Sequence, residues 1–374
     1  MNRLFATSIL VPAALLLSAC DPAAPVANTA SALPALPIEG AEWITAETEE
    51  YRGKRDDMHF ATADVGFYGT GAGEVFRTDD GGSTWSRVWH QPGTFVRALG
   101  FVDDMNGFMG NVGNVYPGVT DLTPLYRTRD GGKTFTPVDI GGADVPGICA
   151  IDVLPVERIY QGELVSGAVI HAAGRVNGPA KLLRSVDGGE TWSFIDMSAH
   201  AGAIFDVKFR DEDTGFVFAS SSRRTAEANA LILKTEDGGQ SWREVYRSSR
   251  LAETSWKGFL VDDEVAYASV QSHDPERAQQ VVAKSVDGGD SWTEMPVTMN
   301  AGARQFGIGF ANRDVGWLGT MAGGFETRDG GRTWKQVGIA RAANKFRMRA
   351  ADGSPKIGAI GTEVQFFTTP SDAL

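Results

Sequence analysis

The residues best suited to chemistry in this sequence are carboxylates in a recurring Gly-rich segment, which reads Asp-Gly-Gly, any residue, Thr or Ser, then Trp or Phe. The six copies begin at Asp80, Asp130, Asp187, Asp237, Asp287 and Asp329. A carboxylate beside two Gly could bind calcium or transfer protons, but no ligand series of the EF-hand type follows it. Because the same carboxylate recurs in every copy, we interpret it as a structural acceptor for the backbone amides of a turn.

Three other carboxylates are the candidates for catalysis. Asp57, Asp152 and Asp206 fall on strands that we predict to be innermost in the fold. A glycoside hydrolase usually needs two carboxylates placed across the sugar bond, so these residues are the acid and base candidates if the protein is an enzyme. The five His show no pairing with a Ser or Cys nucleophile, and two Cys are too few for a disulfide framework or a Cys/His zinc cluster. We therefore expect no metal, no cofactor and, on balance, no enzymatic activity.

The spacing of the repeat predicts the architecture that positions these residues. Consecutive Asp lie 50, 57, 50, 50 and 42 residues apart, which is the length of one four-stranded β-propeller blade. A degenerate seventh unit follows the last copy, and Glu42-Trp43-Ile44-Thr45 is typical of the strand that follows such a turn. We predict an all-β fold, a single seven-bladed propeller over residues 42–374, in which the N-terminal strand joins the last blade. A six-bladed ring with an extra hairpin is the alternative.

The connections between strands indicate where a site could lie. With strands a to d running outward from the axis, the Asp-Gly-Gly segments form the c–d turns, and the b–c and d–a connections share the opposite face. The b–c connections are long in blades 2 to 5, which favours a binding surface there over neutral variation in loop length. We expect Asp57, Arg97, Lys257 and Arg347 near the mouth of the channel on this face; a channel of internally satisfied ion pairs is the alternative. The predicted partner-binding residues are Asp57, Arg97, Tyr116, Arg223, Arg224, Lys257, His273, Arg304, Arg347 and Arg349.

The N-terminal segment predicts that the protein is exported and attached to a lipid. Residues 1–19 have a basic residue followed by a short apolar run, and Leu17-Ser18-Ala19-Cys20 resembles the lipobox of bacterial lipoproteins. The resemblance implies cleavage before Cys20 and lipidation of its thiol; an ordinary signal peptide is the alternative. Residues 20–41 are rich in Ala and Pro and are expected to be a tether. The expected location is the periplasmic side of the bacterial cell envelope.

The repeated turn resembles the Asp-box, or BNR repeat, of sialidases and related propellers. The segments Asp-Gly-Gly-x-Thr-Trp and Gly316-Trp-Leu-Gly319 further resemble the photosystem II stability/assembly factor-like family. That resemblance implies a non-enzymatic scaffold that holds membrane-protein assembly intermediates, partly through an arginine patch. The sequence departs from sialidases in lacking a Phe-Arg-Ile-Pro-like segment and a clear Arg triad. A glycoside hydrolase or glycan-binding propeller is the alternative.

The net charge of the chain argues against nucleic acid as a partner. The chain of 374 residues carries 47 acidic and 35 basic side chains, which gives a formal charge of −12. Electrostatic attachment to nucleic acid through a basic body is therefore not expected. The expected partners are a membrane, contacted through the lipid, and a protein, with a glycan as the alternative ligand.

Overall fold

The computed structural model describes residues 39–160, 163–349 and 356–368. Cys20, the predicted signal peptide and most of the predicted tether lie outside these ranges, as does the side chain of Arg349. The described part of the chain contains no helix with the length and apolar character that a membrane crossing requires.

The described residues form seven antiparallel sheets of four strands each. The strands of blades 1 to 3 are β2 (Arg55–Phe60), β3 (Gly66–Thr70), β4 (Glu74–Thr78), β5 (Ser86–His90); β6 (Val96–Phe101), β7 (Gly107–Asn111), β8 (Leu125–Thr128), β9 (Thr136–Pro137); and β10 (Ala150–Tyr160), β11 (Glu163–Ala173), β12 (Lys181–Ser185), β13 (Ser193–Asp196). Those of blades 4 to 6 are β14 (Ala203–Phe209), β15 (Thr214–Ser220), β16 (Ala230–Glu236), β17 (Arg243–Arg247); β18 (Glu253–Leu260), β19 (Ala266–Ser272), β20 (Gln280–Ser285), β21 (Thr293–Thr298); and β22 (Gln305–Phe310), β23 (Gly316–Thr320), β24 (Gly323–Thr327), β25 (Lys335–Val337). Blade 7 contains β26 (Lys345–Arg349), β27 (Lys356–Ile360), β28 (Val364–Thr368) and β1 (Glu42–Thr45), and one 3₁₀ turn spans Thr225–Glu227.

The ring closes as predicted. Strand β1 pairs antiparallel with β28, from Glu42 opposite Thr368 to Thr45 opposite Gln365. The prediction of seven blades is confirmed, and the six-bladed alternative is wrong. Closure between the two ends of the chain removes the free sheet edges that an open fan of blades would expose.

The Asp-Gly-Gly turns use each Asp as an internal acceptor. In blade 1, the Oδ1 atom of Asp80 accepts hydrogen bonds from Thr78 Oγ1 (2.7 Å) and Thr84 N (2.9 Å), and its Oδ2 atom accepts one from Thr84 Oγ1 (2.6 Å). The Asp of the five other copies occupies the same network. The second Gly has a positive φ and lies against the preceding blade: a Cβ on Gly189 would come within 2.0 Å of the Phe108 ring. These contacts assign the six carboxylates to turn structure.

Neighbouring blades pack through stacked aromatic rings. Phe67 of β3 stacks on Phe101 of the next blade with ring centroids 3.6 Å apart, and Tyr267 stacks on Phe310 at 3.7 Å. In blade 3 the equivalent position holds His171, which is fully buried and stacks on Phe209 at 3.6 Å. Both ring nitrogens of His171 lack a hydrogen-bond partner within the described structure. A polar ring therefore occupies a position that blades 1, 2, 4, 5 and 6 fill with Phe, Tyr or Trp.

Candidate functional site: the axial channel and the loop face

The inner strands all run in one direction, which gives the two faces of the ring different characters. Each begins at the face formed by the d–a and b–c connections, here called the loop face, and ends at the face that carries the Asp-Gly-Gly turns, here called the turn face. Residues early in an inner strand therefore lie near the loop face, and the last residues lie near the turn face.

A plug of bulged residues closes the half of the channel nearer the loop face. The register of five inner strands shifts near their beginning, because a β-bulge there inserts a residue that has no partner in the ladder. Phe205, Trp256 and Phe306 are three of these residues and pack into one buried cluster. The Trp256 ring stacks on Phe205 at 5.1 Å and meets Phe306 edge-on at 6.1 Å, while its Nε1 donates a hydrogen bond to Asn344 Oδ1 (2.9 Å).

The other two bulges place charge in the plug. Asp56 and Arg97 form a buried ion pair, and the Arg97 guanidinium lies 5.3 Å from the Trp256 ring centroid. The Arg97 side chain is only 2% exposed, so its predicted direct contact with a partner would require the plug to open. Arg97 is the bulge residue of β6, between Val96 and Ala98 in the ladder. Lys257, 2% exposed, donates a hydrogen bond to Phe205 O (2.6 Å) beneath the plug.

The three candidate catalytic carboxylates join neighbouring inner strands. Asp57 accepts a hydrogen bond from Leu99 N (2.9 Å), Asp152 from Phe209 N (2.8 Å) and Asp206 from Gly258 N (3.2 Å). In each pair the amide belongs to the following blade. These contacts make the three residues cross-links of the ring.

The charges around these carboxylates keep two of them ionised. Although burial acts in the opposite direction, Arg347 and Lys345 hold the pKa of Asp57 well below its usual range. Burial of Asp206 acts to raise its pKa, but the positive charge of nearby Lys257 outweighs this effect and lowers the pKa. A glycosidase general acid requires a raised pKa, and neither carboxylate has one.

A cavity of about 310 Å³ occupies the half of the channel nearer the turn face. Its lining includes the last residues of several inner strands, among them His59, Lys208 and Leu260. Arg347 lies here, where its Nη2 donates a hydrogen bond to Asp57 Oδ1 (3.0 Å) and its Nε donates one to Met58 O (3.0 Å). The expectation that Arg347 lies at the mouth on the loop face is therefore wrong. The alternation of side chains along a strand predicts which residues face the channel, but it does not predict how far along the propeller axis each residue lies. Arg349 follows on the same strand, and its side chain lies outside the described part.

Arginines that lack a carboxylate partner gather on the loop face. Arg175 and Arg223 lie on the long connections of blades 3 and 4, where their guanidinium groups donate to backbone oxygens of Gly178 (2.9 Å) and Asn177 (3.1 Å). Burial and the neighbouring charge of Arg223 lower the pKa of Arg175, so the two cations disfavour each other. Within the described ranges, the arginines of this face that are not buried and form no ion pair with a carboxylate are Arg52, Arg175, Arg223, Arg304 and Arg341.

The remaining predicted partner-binding residues also lie on the loop face. Tyr116 is 37% exposed and stacks on Phe95 at 5.0 Å, and Arg224 is 81% exposed beside Glu227. His273 contacts Thr254, and burial together with the charge of Arg304 lowers its pKa to about 4. The structure thus places Tyr116, Arg223, Arg224, His273 and Arg304 on one face and separates them from Asp57, Lys257 and Arg347 in the channel.

Sequence reasoning missed Arg52, Arg175 and Arg341 as members of this charged surface. Arg175 lies in the long connection Gly174-Arg-Val-Asn-Gly-Pro179, where an Arg without a nearby acidic residue was the available signal. Arg52 and Arg341 lie in ordinary d–a connections, and only the closed ring shows that they share a face with Arg175.

Comparison with solved structures supports the fold. The chain is similar to YCF48 bound to a D1 peptide, with a TM-score of 0.60, 16% identity, and coverage of 92% of this chain and 99% of that one. It is also similar to YCF48 from Cyanidioschyzon merolae, with a TM-score of 0.58, 14% identity, and coverage of 89% and 100%. An ancestral GH74 enzyme matches with a TM-score of 0.59 and 14% identity over 89% of this chain but 45% of its own length. No family model and no curated protein matches the chain. At these identities the likeness shows a seven-bladed propeller and nothing finer.

Proposed function

We propose that this protein is a non-enzymatic scaffold that docks an acidic segment of a protein partner on the loop face. The observation that carries the proposal is the set of five solvent-accessible arginines there that form no ion pair with a carboxylate within the described ranges. On a chain of formal charge −12, cations that are collected on one face and form no ion pair provide electrostatic complementarity to an acidic partner.

The shape of the face suits an extended segment. A groove of about 560 Å³ between blades 3 and 4 is lined by Arg223, Arg224 and Arg247, and a second groove of about 300 Å³ between blades 1 and 2 is lined by Tyr51 and Tyr116. Arg and Tyr are the residue types most often found at energetically important interface positions. The likeness to YCF48, a propeller solved with a bound peptide, supports a peptide-docking role at the level of fold.

We include membrane attachment in the proposal because the sequence that ends at Cys20 resembles a lipobox. Lipidation of that thiol would confine the propeller to the surface where a membrane-protein partner also lies, which raises the effective concentration of each for the other. In this proposal residues 20–41 are the tether, the propeller projects into the periplasm, and the assembly-factor role follows the family that the sequence resembles.

The glycoside hydrolase alternative has less support. Asp57 and Asp206 are bonded to backbone amides and held ionised, so neither supplies the protonated acid that the reaction needs.

The proposal is tested by crosslinking and purification from native envelopes at low and high salt. We expect a specific membrane protein to be recovered with the wild type, and recovery to fall with rising salt and in an Arg223→Glu/Arg224→Glu variant. The matched control is Lys133→Glu/Arg332→Glu, which makes the same charge change on the turn face and should leave recovery unchanged. Equal recovery by both variants would contradict the assignment of the loop face.

A further inference from the structure

The cavity of about 310 Å³ near the turn face is chemically distinct from the loop face, from which the plug separates it. Its volume falls at the lower end of the range for small-molecule sites, which is about 300–1,000 Å³. Phe259, Leu260 and Met348 line it and are each partly exposed, so its wall offers apolar surface that a ligand could reach.

The carboxylates of this cavity already have partners in the protein, and Asp206 accepts a hydrogen bond at Oδ2 from Gly258 N (3.2 Å) while its Oδ1 lies 3.6 Å from Lys257 Nζ. Asp152 uses Oδ1 for Lys208 Nζ (3.0 Å) and Oδ2 for Phe209 N (2.8 Å). Asp57, behind the wall, uses both oxygens for backbone amides and for the cations Lys345 and Arg347. A ligand would find no free carboxylate oxygen on Asp57 or Asp152.

The donors are not all engaged. Arg347 uses Nε and Nη2 within the protein, and its Nη1 has no hydrogen-bond partner among the described residues. Lys208 Nζ has three hydrogens and donates to Asp152 alone within the same ranges. Both side chains are 17% exposed, so each can meet a ligand that enters the cavity.

Free cationic donors beside an apolar wall match an anion with an apolar part. We propose that the cavity binds a small organic monocarboxylate, whose carboxylate contacts Lys208 and Arg347 and whose apolar part contacts Phe259, Leu260 and Met348. The carboxylate can belong to a free acid or to the C-terminus of a peptide.

The first test is isothermal titration calorimetry of hexanoate against hexanamide on the folded propeller. The two ligands have the same apolar chain, and only hexanoate is charged, so we expect hexanamide to bind about tenfold more weakly or worse. Lys208→Met should weaken hexanoate binding by a similar factor. Lys181→Met makes the same change on an outer strand and should leave the affinity unaltered.

A second readout locates the ligand without relying on a variant. In protein labelled with ¹³C at its methionine methyl groups, hexanoate should shift the Met348 signal and leave that of exposed Met299 in place. A short peptide ending in Leu, with a free or an amidated C-terminus, then separates the two sources. Tighter binding of the free-acid peptide than of hexanoate assigns a peptide terminus, and binding of hexanoate alone assigns a small acid.

Three results would overturn the proposal. These are equal binding of hexanoate and hexanamide, hexanoate binding that Lys208→Met leaves unchanged, and the absence of both heat and a Met348 shift at about 10 mM hexanoate.

Discussion

His171 should make the propeller lose stability in mild acid, and replacing it with Phe should remove that loss. The ring is fully buried, and burial together with the charge of Arg184 lowers its pKa to about 3 from an ordinary value of 6.5. The unfolded chain therefore binds a proton at His171 below about pH 6.5, whereas the folded chain binds it only near pH 3. The stability supplied by the neutral ring is complete above pH 6.5 and is lost as the pH falls.

The size of the loss follows from this difference in pKa. Each pH unit below about 6.5 costs about 1.4 kcal/mol in the free energy of unfolding, so the step from about pH 8 to about pH 5 costs about 2 kcal/mol through this residue. His171→Phe should therefore show a pH-dependent loss smaller by about 2 kcal/mol. The variant should also gain about 1–3 kcal/mol at pH 8, because it no longer buries two unpaired ring nitrogens.

The assay is urea unfolding followed by tryptophan fluorescence at about pH 8, 6 and 5. Phe is a suitable replacement because Phe67 and Phe216 occupy the same position in their own blades. His200→Gln removes an exposed His and serves as the control, whose profile should follow the wild type. Parallel profiles for the wild type and His171→Phe would refute the argument.

Three further predictions concern the turns, the plug and the channel. Asp80→Ala should lower the free energy of unfolding by about 1–3 kcal/mol in urea titrations, whereas Asp79→Ala should change it by at most about 0.5 kcal/mol. Trp256→Ala should cost about 3–5 kcal/mol through loss of the plug, measured by calorimetry against the milder Trp256→Phe; equal losses would contradict the packing argument. Asp57→Asn should cost about 3–5 kcal/mol in urea unfolding, because it leaves buried Lys345 and partly buried Arg347 without their shared carboxylate. Adding Lys345→Met should recover part of the loss, and no recovery would argue against the shared ion pair.

The fold could be predicted from the sequence because the same turn motif recurs in six of the seven blades. The six Asp-Gly-Gly turns mark the blades, and Trp43 lies in an edge strand that has no partner unless the two ends of the chain meet. The loop face was predicted in the same way, since alternation of strand and turn determines which connections share a face.

The site could be predicted only in part, because its geometry depends on backbone irregularities and on height along the axis. The plug forms where Trp256 and Arg97 are bulge residues, and no local pattern distinguishes a bulge residue from its neighbours. The alternation of side chains along an inner strand predicts that Arg347 faces the channel, but it does not predict how far along the axis Arg347 lies. The role of His171 depends on its alignment with aromatic residues of other blades, which becomes clear only once the strand register is known.

The measurement that tests the account most directly is site-specific photocrosslinking in native envelopes. One photoreactive residue replaces Met299 on the loop face and another replaces Val286 on the turn face, at positions that are 71% and 65% exposed. We predict a discrete protein adduct from position 299 that disappears in the Arg223→Glu/Arg224→Glu background and at high salt, with none from position 286. An adduct from position 286 alone, or an adduct at 299 that neither salt nor charge reversal affects, would contradict docking on the loop-face arginines.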